Sequence, residues 1–471
     1  MTPARPEPPG GRALVPVLFV LLGLVVVGRL ATRAWLASPA PTRLPRVGAT
    51  TAVARPLLFV VLDGLREPSS WTREDGSTPW LRAFAGLGAS GIAWAGDPTL
   101  TAPCVRALLT GRAPDLVTGF RNFDAEEVPG NLLQYLRERG ARTAHAGDAT
   151  IYQFCRRAFD SPQVLAIPDQ GPTDTRTDAK AVAFAVDRIL EGADVLTLHL
   201  TLPDHTGHMH GAVGEEYAKA CRTTDERTRE VVEAFLDVHP DALVFVGADH
   251  GVSANGTHGG GEIVARRAPF LLVGPGVARV HDVEISQYAV APTIAALLGL
   301  PMPPLADAPP APQLLDLPEA DVRHALDSYL QARLAVARSL GSRDVDPIER
   351  KRADLSIRRL AGDDAGKPFR ALAAELNRIL NPSSAGYALL ALFLAALGLV
   401  ASLHLVARAP FRGPGGGLVA AGLAVSVLAA LGLLPVLAAG LLLLVACAAV
   451  LLLARPRRGG GAVFVLAVLA A

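Results

Sequence analysis

ALVFVGADHG, residues 242–251, is an apolar run that ends on an acid, an imidazole and a glycine. A short continuous apolar run of this kind reads as a strand buried on both faces. Leu57–Leu62, Val195–Leu200 and Phe270–Val273 are runs of the same type. Helix-like stretches alternate with them at Asn131–Arg139, Ala179–Leu190 and Glu215–Val238. This alternation predicts an α/β fold, a mostly parallel sheet sandwiched by helices. Asp63, Asp204 and Asp249 each fall just beyond one of the runs. Open α/β sheets bind ligands at the carboxyl ends of their strands, so the three acids are expected to converge on one edge.

The imidazoles lie in the same places. In DHTGHMHG (204–211), Asp204 and His208 are both metal-ligand types, and Gly207 allows a tight loop that also carries His205 and His210. Asp249 and His250 put an oxygen and an imidazole on adjacent residues. His258 follows in NGTHGGG (255–261), a loop flexible enough to reach back. Thr101, in PTLTAP (98–103), offers a hydroxyl at an expected helix start, where an anionic phosphate is favoured. Metal coordination is one of the few ways to activate a threonine as a nucleophile. Singly, each has a plainer reading: Asp63 as a helix cap, DHTGH as a polar loop, His258 as an exposed loop residue, Thr101 as part of a turn. Together they predict a two-metal site with a threonine nucleophile for phosphoryl-type chemistry.

The chain has 471 residues, 50% of them hydrophobic, and a formal net charge of +1. Residues 13–30, 386–407 and 417–454 are apolar stretches without an acidic residue. A hydrocarbon core about 30 Å thick takes about 20 helical residues. One transmembrane helix is therefore expected at the N-terminus, one at 386–407 and two within 417–454. The first run exceeds the apolar region usual in signal peptides, which favours an uncleaved anchor. Arg408 and Arg412 precede Arg455, Arg457 and Arg458 by two expected spans, which puts both clusters in the cytoplasm and residues 34–383 outside it. The expected order is an anchor at 1–33, a tether at 34–55 and a catalytic domain at 56–300. A Pro-rich linker with membrane-proximal helices follows at 301–383, then a membrane bundle at 384–471.

Lysine occurs only at 180, 219, 351 and 367 among otherwise arginine basic residues, and alanine and glycine are abundant. That points to a GC-rich genome and an integral protein of a bacterial inner membrane. The near-zero charge and the lack of a basic stripe argue against nucleic acid as a partner. Four cysteines, at 104, 155, 221 and 447, are too few for a disulfide framework, and a Cys155–Cys221 bridge stays open.

VVLDG (60–64), PTLTAP (98–103), LLTG (108–111), NLLQYL (131–136), AGDAT (146–150), DHTGHMHG (204–211), ADHG (248–251) and THGG (257–260) together resemble the alkaline phosphatase superfamily. The resemblance is to its type I phosphodiesterase/nucleotide pyrophosphatase branch, and within it to the GPI ethanolamine-phosphate transferases. It implies an alkaline-phosphatase-like fold and a metal-dependent phosphotransferase or phosphodiesterase. It also implies two divalent metals, zinc by family habit with manganese compatible. Asp204, His208 and His258 would hold one metal. Asp63, Asp249 and His250 would hold the other, with Thr101 on it as the nucleophile. The expected partners are the membrane and a lipid or glycolipid phosphodiester of the phosphoethanolamine type. A nucleotide pyrophosphatase acting on soluble substrates is the alternative, although Cys104 stands where those enzymes carry asparagine. A sulfatase would need Cys or Ser at position 101 and arginine at Val105. A binding module without activity would not need all seven positions filled.

Overall fold

A computed structural model describes residues 46–47, 55–67, 76–114, 127–160, 175–341, 345–357 and 366–380. The chain divides into two compact units, Met1–Ile379 and Leu380–Ala471. The fold below belongs to the first. The expected spans at 13–30, 386–407 and 417–454, and Cys447, lie outside the described residues. Among the described residues, no helix is long and apolar enough to cross a membrane.

Seven strands form one sheet: β1 (Leu57–Leu62), β2 (Ala89–Trp94), β3 (Thr143–Gly147), β4 (Val195–Leu200), β5 (Leu243–Ala248), β6 (Arg267–Val273) and β7 (Val283–Ser286). Their order is β3-β4-β1-β5-β6-β2-β7. β6 runs antiparallel to both its neighbours, and every other pairing is parallel. The α/β, mostly parallel sheet expected from the apolar runs is thus observed. β2, β3 and β7 are additional to the four runs read from the sequence.

The centre of the sheet explains the composition of those runs. β1, β4 and β5 are buried along their whole length. Alternate residues Leu58, Val60 and Leu62 join Leu196, Leu198, Leu200, Val244, Val246 and Ala248 in one core cluster. α5 (Thr175–Leu190) and α7 (Glu215–Val238) cover this face with Ala181, Val182, Ala185, Ile189, Val231, Val232 and Phe235. On the opposite face Phe59 stacks on its register partner Phe245, with ring centroids 4.6 Å apart. A strand with an apolar layer on both sides cannot alternate polar and apolar residues, hence the unbroken runs.

Six further helices surround the sheet: α1 (Pro79–Ala85), α2 (Thr101–Thr110), α3 (Leu132–Glu138), α4 (Ala149–Cys155), α6 (Leu202–His210) and α9 (Val290–Leu297); α8 (Ile263–Arg266) is a single turn. Their starts follow local chemistry. Asn131 caps α3 by accepting from Gln134 N at 2.9 Å, and Asp148 caps α4 by accepting from Thr150 N at 2.8 Å. Asp225 of α7 caps α1 from a distance, accepting from the amides of Trp80 and Leu81.

The Pro-rich stretch after residue 300 is packed. Met302, Ala306 and Ala311 are buried, and Asp307 N donates to Gly111 O beyond the end of α2. α10 (Glu319–Ser339), α11 (Asp346–Ile357) and α12 (Gly366–Leu380) follow. Arg333 of α10 donates to Asp307 Oδ1 at 2.9 Å and to Asn377 Oδ1 of α12 at 2.6 Å. Tyr329 Oη donates to Ala306 O. Cys155 and Cys221 are both free and buried, so the bridge left open above is not formed.

Candidate metal centre

Register brings the acids together. Leu62 of β1 pairs with Leu200 of β4 and with Ala248 of β5, so the three strands end at one level. Asp63 and Asp249 are the next residues on β1 and β5. Asp204 arrives differently from the loop expected for DHTGH. The chain turns at Thr201 and enters α6 at Leu202, with Pro203 in the first turn, where its missing N–H costs nothing. Asp204 and His208 are therefore one helical turn apart on a single face, with His208 Nε2 3.3 Å from Asp204 Oδ2. Asp178 of α5 holds the start of this helix, its carboxylate accepting from Thr201 N at 3.2 Å and Leu202 N at 3.1 Å.

Gly64 makes the close approach of the acids possible. Its φ is +63°, and a Cβ there would lie 2.7 Å from Asp204 Oδ1. Its N–H donates to Asp249 Oδ1 at 3.2 Å. Tyr217 Oη donates to Gly64 O and accepts from Arg66 N, both at 2.8 Å, pinning the turn.

The imidazoles present Nε2 to the centre because Nδ1 is engaged elsewhere. His258 Nδ1 lies 2.8 Å from Thr99 O, which makes it the donor. His250 Nδ1 lies 3.2 Å from Gly251 O in the same sense. This arrangement fixes the tautomer of a metal-ligating histidine. His250 Nε2 is then 3.5 Å from Asp63 Oδ1, 3.4 Å from Asp249 Oδ2 and 3.4 Å from Thr101 Oγ1. His258 Nε2 is 3.3 Å from Asp204 Oδ1 and 3.0 Å from His208 Nε2. Thr101 is the first residue of α2, as its setting in PTLTAP suggested, and Leu100 gives that helix end no side-chain cap.

Three carboxylate oxygens, Asp63 Oδ1, Asp204 Oδ1 and Asp249 Oδ2, are buried without a hydrogen-bond donor. Each faces an Nε2 whose ring has its proton on the other nitrogen. Lone pairs thus face lone pairs, which costs free energy unless a cation lies between them. Among the described residues, two groups have ligand atoms close enough to hold a metal ion: Asp63, Asp249 and His250, and Asp204, His250 and His258. His250 borders both, and His208 completes the second through Asp204 and His258. The mixed Asp/His donor set fits divalent metals.

The protonation pattern agrees. Burial, then the charges of Asp249 and Asp204, push the Asp63 carboxyl well above its usual range. Burial and Asp204 raise Asp249 to about 6 against the opposing pull of His199. Burial also acts on Asp204, but the His208 hydrogen bond and the charges of His250 and His258 bring it down to about 2. Burial is the largest influence on His250 and His258 as well, and it lowers both. A pocket that resists ionising two adjacent acids favours a multivalent cation strongly.

All seven residues singled out from the sequence meet here, while His205 and His210 take part in none of these contacts. His199 was not singled out. It is completely buried on β4, between Asp63 and Asp148. The available signal was a histidine near the end of VLTLHL, a fully buried strand whose other polar residue is Thr197.

Residues 134–265 match the family described as type I phosphodiesterase / nucleotide pyrophosphatase. The chain is 32% identical over 214 residues to the catalytic subunit of GPI ethanolamine phosphate transferase 3 from Mus musculus, covering 44% of this chain and 19% of that protein. It is 27% identical over 302 residues to the catalytic subunit of GPI ethanolamine phosphate transferase 2 from Homo sapiens, covering 58% and 30%. The match therefore spans less than a third of either relative. A sulfatase structure from a Bacteroides thetaiotaomicron glycosaminoglycan locus superposes with a TM-score of 0.43 at 14% identity, covering 55% of this chain and 74% of that one.

Proposed function

We propose a reaction for a chain that belongs to the type I phosphodiesterase/nucleotide pyrophosphatase family of the alkaline phosphatase superfamily, with distant homology to the GPI ethanolamine phosphate transferases. It is a membrane-anchored two-metal phosphotransferase or phosphodiesterase that uses Thr101 as its nucleophile. Its substrate is a lipid or glycolipid phosphodiester of the phosphoethanolamine type. The observation that carries the reading is Thr101 Oγ1, 3.4 Å from the His250 Nε2 that borders both ligand groups.

Asp204, His208 and His258 hold one divalent metal, and Asp63, Asp249 and His250 hold the second, with zinc the metal best suited to the set. When bound, the metals supply Lewis acidity that favours the alkoxide form of the nucleophile and offsets charge on the phosphoryl oxygens. Thr101 Oγ gives up its proton to solvent and attacks phosphorus, and the departing alkoxide takes up a proton. Water, or an acceptor hydroxyl, then displaces Thr101 from the phosphoryl group and loses its own proton. The uncapped start of α2 orients the anionic group at the reacting hydroxyl. The apolar stretches at 13–30, 386–407 and 417–454 support anchoring beside lipid, with the site outside the cytoplasm of a bacterial inner membrane.

The family match also favours a second reading, a nucleotide pyrophosphatase with soluble substrates. Metal analysis of the full chain, with turnover of p-nitrophenyl phosphodiester, p-nitrophenyl phosphate and a dinucleotide, separates these readings. Thr101→Ala is expected to keep its metals and lose turnover, and an unchanged rate would overturn the nucleophile. Lipid analysis of a deletion strain, showing an altered phosphoethanolamine-bearing lipid, supports the membrane substrate; preferred cleavage of the dinucleotide supports the second reading.

A further inference from the structure

We infer that His199 is a positioning residue for Asp63: it engages Asp63 Oδ2 so that Oδ1 stays turned toward His250, while Asp148 holds the far side of the ring. The inference rests on the two-metal reading above and concerns a residue that reading does not use.

His199 is completely buried, and neither of its ring nitrogens has a hydrogen-bond partner. An imidazole always carries at least one N–H, and leaving it unpaired in the core is unfavourable. The polar atoms flanking the ring are both carboxylate oxygens. Nε2 lies 3.4 Å from Asp63 Oδ2, and Nδ1 lies 3.7 Å from Asp148 Oδ1. Both separations are just beyond a well-formed hydrogen bond.

The Asp63 carboxylate is thus divided between two tasks. Oδ1 faces His250 and the ligand group, and Oδ2 faces His199. A carboxylate with only one oxygen engaged is free to swing about its last torsion, and partners behind the ligands are what restrain it. Asp148 is itself fixed, since its Oδ1 accepts from Thr150 N at 2.8 Å and from the Thr150 hydroxyl. Burial opposes its ionisation, but His199 and the Thr150 bonds together hold it below the usual carboxylate range. It is therefore an anion on which a ring N–H can rest.

The plain alternative is a histidine that only fills space in the sheet. His145 on neighbouring β3 shows what that looks like. Its Nδ1 lies 2.8 Å from Thr197 Oγ1 and its Nε2 lies 2.7 Å from Asp148 O, so both nitrogens are satisfied by neutral groups. His199 instead has two acids within 4 Å of its nitrogens, and one of them belongs to the ligand group.

The two nitrogens point in opposite directions, which allows a test by side-chain length. A glutamine amide nitrogen reaches about as far as Nε2, toward Asp63, whereas an asparagine nitrogen reaches only about as far as Nδ1. Full-chain wild type, His199→Gln and His199→Asn are titrated with Zn2+ against a chromophoric chelator, and melting is recorded in EDTA. The expected result is that the asparagine variant loses roughly 10- to 100-fold affinity at one of two sites. The glutamine variant stays within a few-fold of wild type, and both melt alike without metal. Equal affinities in the two variants, or equal weakening of both sites with a lower metal-free melting temperature, would reduce His199 to a packing residue. Should the His199 variants fail to fold, Asp148→Asn is used: weakening of the same single site supports the inference, and unchanged affinity overturns it. A wild-type chain that binds fewer than two Zn2+ would overturn the two-metal reading itself, and this inference with it.

Discussion

His208 and His258 face each other through their Nε2 atoms at 3.0 Å, although one lies on α6 and the other in the loop after β5. Both also lie 3.3 Å from the Asp204 carboxylate. With His258 Nδ1 committed to Thr99 O, His258 offers its Nε2 beside His208 Nε2 and the Asp204 carboxylate as three candidate metal donors. His258→Ala removes one donor and is expected to lower the bound metal from two equivalents toward one. Turnover of a phosphodiester should fall at least about a hundredfold, a loss of roughly 3 kcal/mol of transition-state stabilisation. Metal analysis alongside kcat/KM checks this, and a variant retaining two tightly held metals would contradict it.

Gly64→Ala should damage the site without touching a ligand. The new methyl group would meet Asp204 Oδ1 at 2.7 Å, on a backbone with φ of +63°. Strain of this kind costs about 1–3 kcal/mol. Relief of the clash must move Asp204 or the Asp63 turn, so metal affinity is expected to drop together with the unfolding midpoint. Urea unfolding with and without Zn2+ measures both effects, and an unaffected Zn2+ increment would count against the packing argument.

Acid should destabilise the fold through His145. Burial pushes this imidazole down to about 4 from an ordinary 6.5. The native state therefore favours the neutral ring, and its contribution is complete above pH 6.5. It is lost progressively as pH falls from 6.5 toward 4, by about 3 kcal/mol in all. Chelator-treated protein followed by urea unfolding across this range should show that slope. His145→Gln should reduce that slope relative to wild type, whatever the variant's absolute stability, while the buried groups of the metal-free centre still contribute.

Arg333→Met tests the anchor of the Pro-rich stretch. Arg333 and Asp307 are 4% and 11% exposed as side chains, so the substitution takes a buried guanidinium away from the Asp307 carboxylate. Breaking a buried pair from one side costs about 3–5 kcal/mol. The expected outcome is a large fall in unfolding free energy with metal stoichiometry unchanged.

Much of this site was legible in the sequence because its ligands follow conspicuous apolar runs. Asp63 and Asp249 each follow a strand that both faces of the core require to be apolar. The α/β sheet was legible for the same reason. β2, β3 and β7 were not, because ASGIAW, TAHAG and VEIS are short and rich in small or polar residues. DHTGH reads as a loop by its glycine and threonine, yet Pro203 and the capping carboxylate of Asp178 start a helix there. That capping acid lies more than 20 residues away in the chain, so no local pattern could show it. His199 escaped notice because Thr197 and His199, two residues apart, read as ordinary strand alternation, and its two acidic neighbours come from other strands' ends.

The clamp formed by Asp307, Arg333 and Asn377 bears on where this protein can be cut. Residue 300, where α9 is followed by prolines, looks like the natural place to end a fragment. A piece ended there would lack Met302, Ala306 and Ala311 from its interior and would leave Gly111 O without its amide donor. It would expose an apolar scar beside the helix that carries Thr101. A fragment carried through residue 380 keeps the strap, its arginine and its asparagine, and is expected to fold and bind metal.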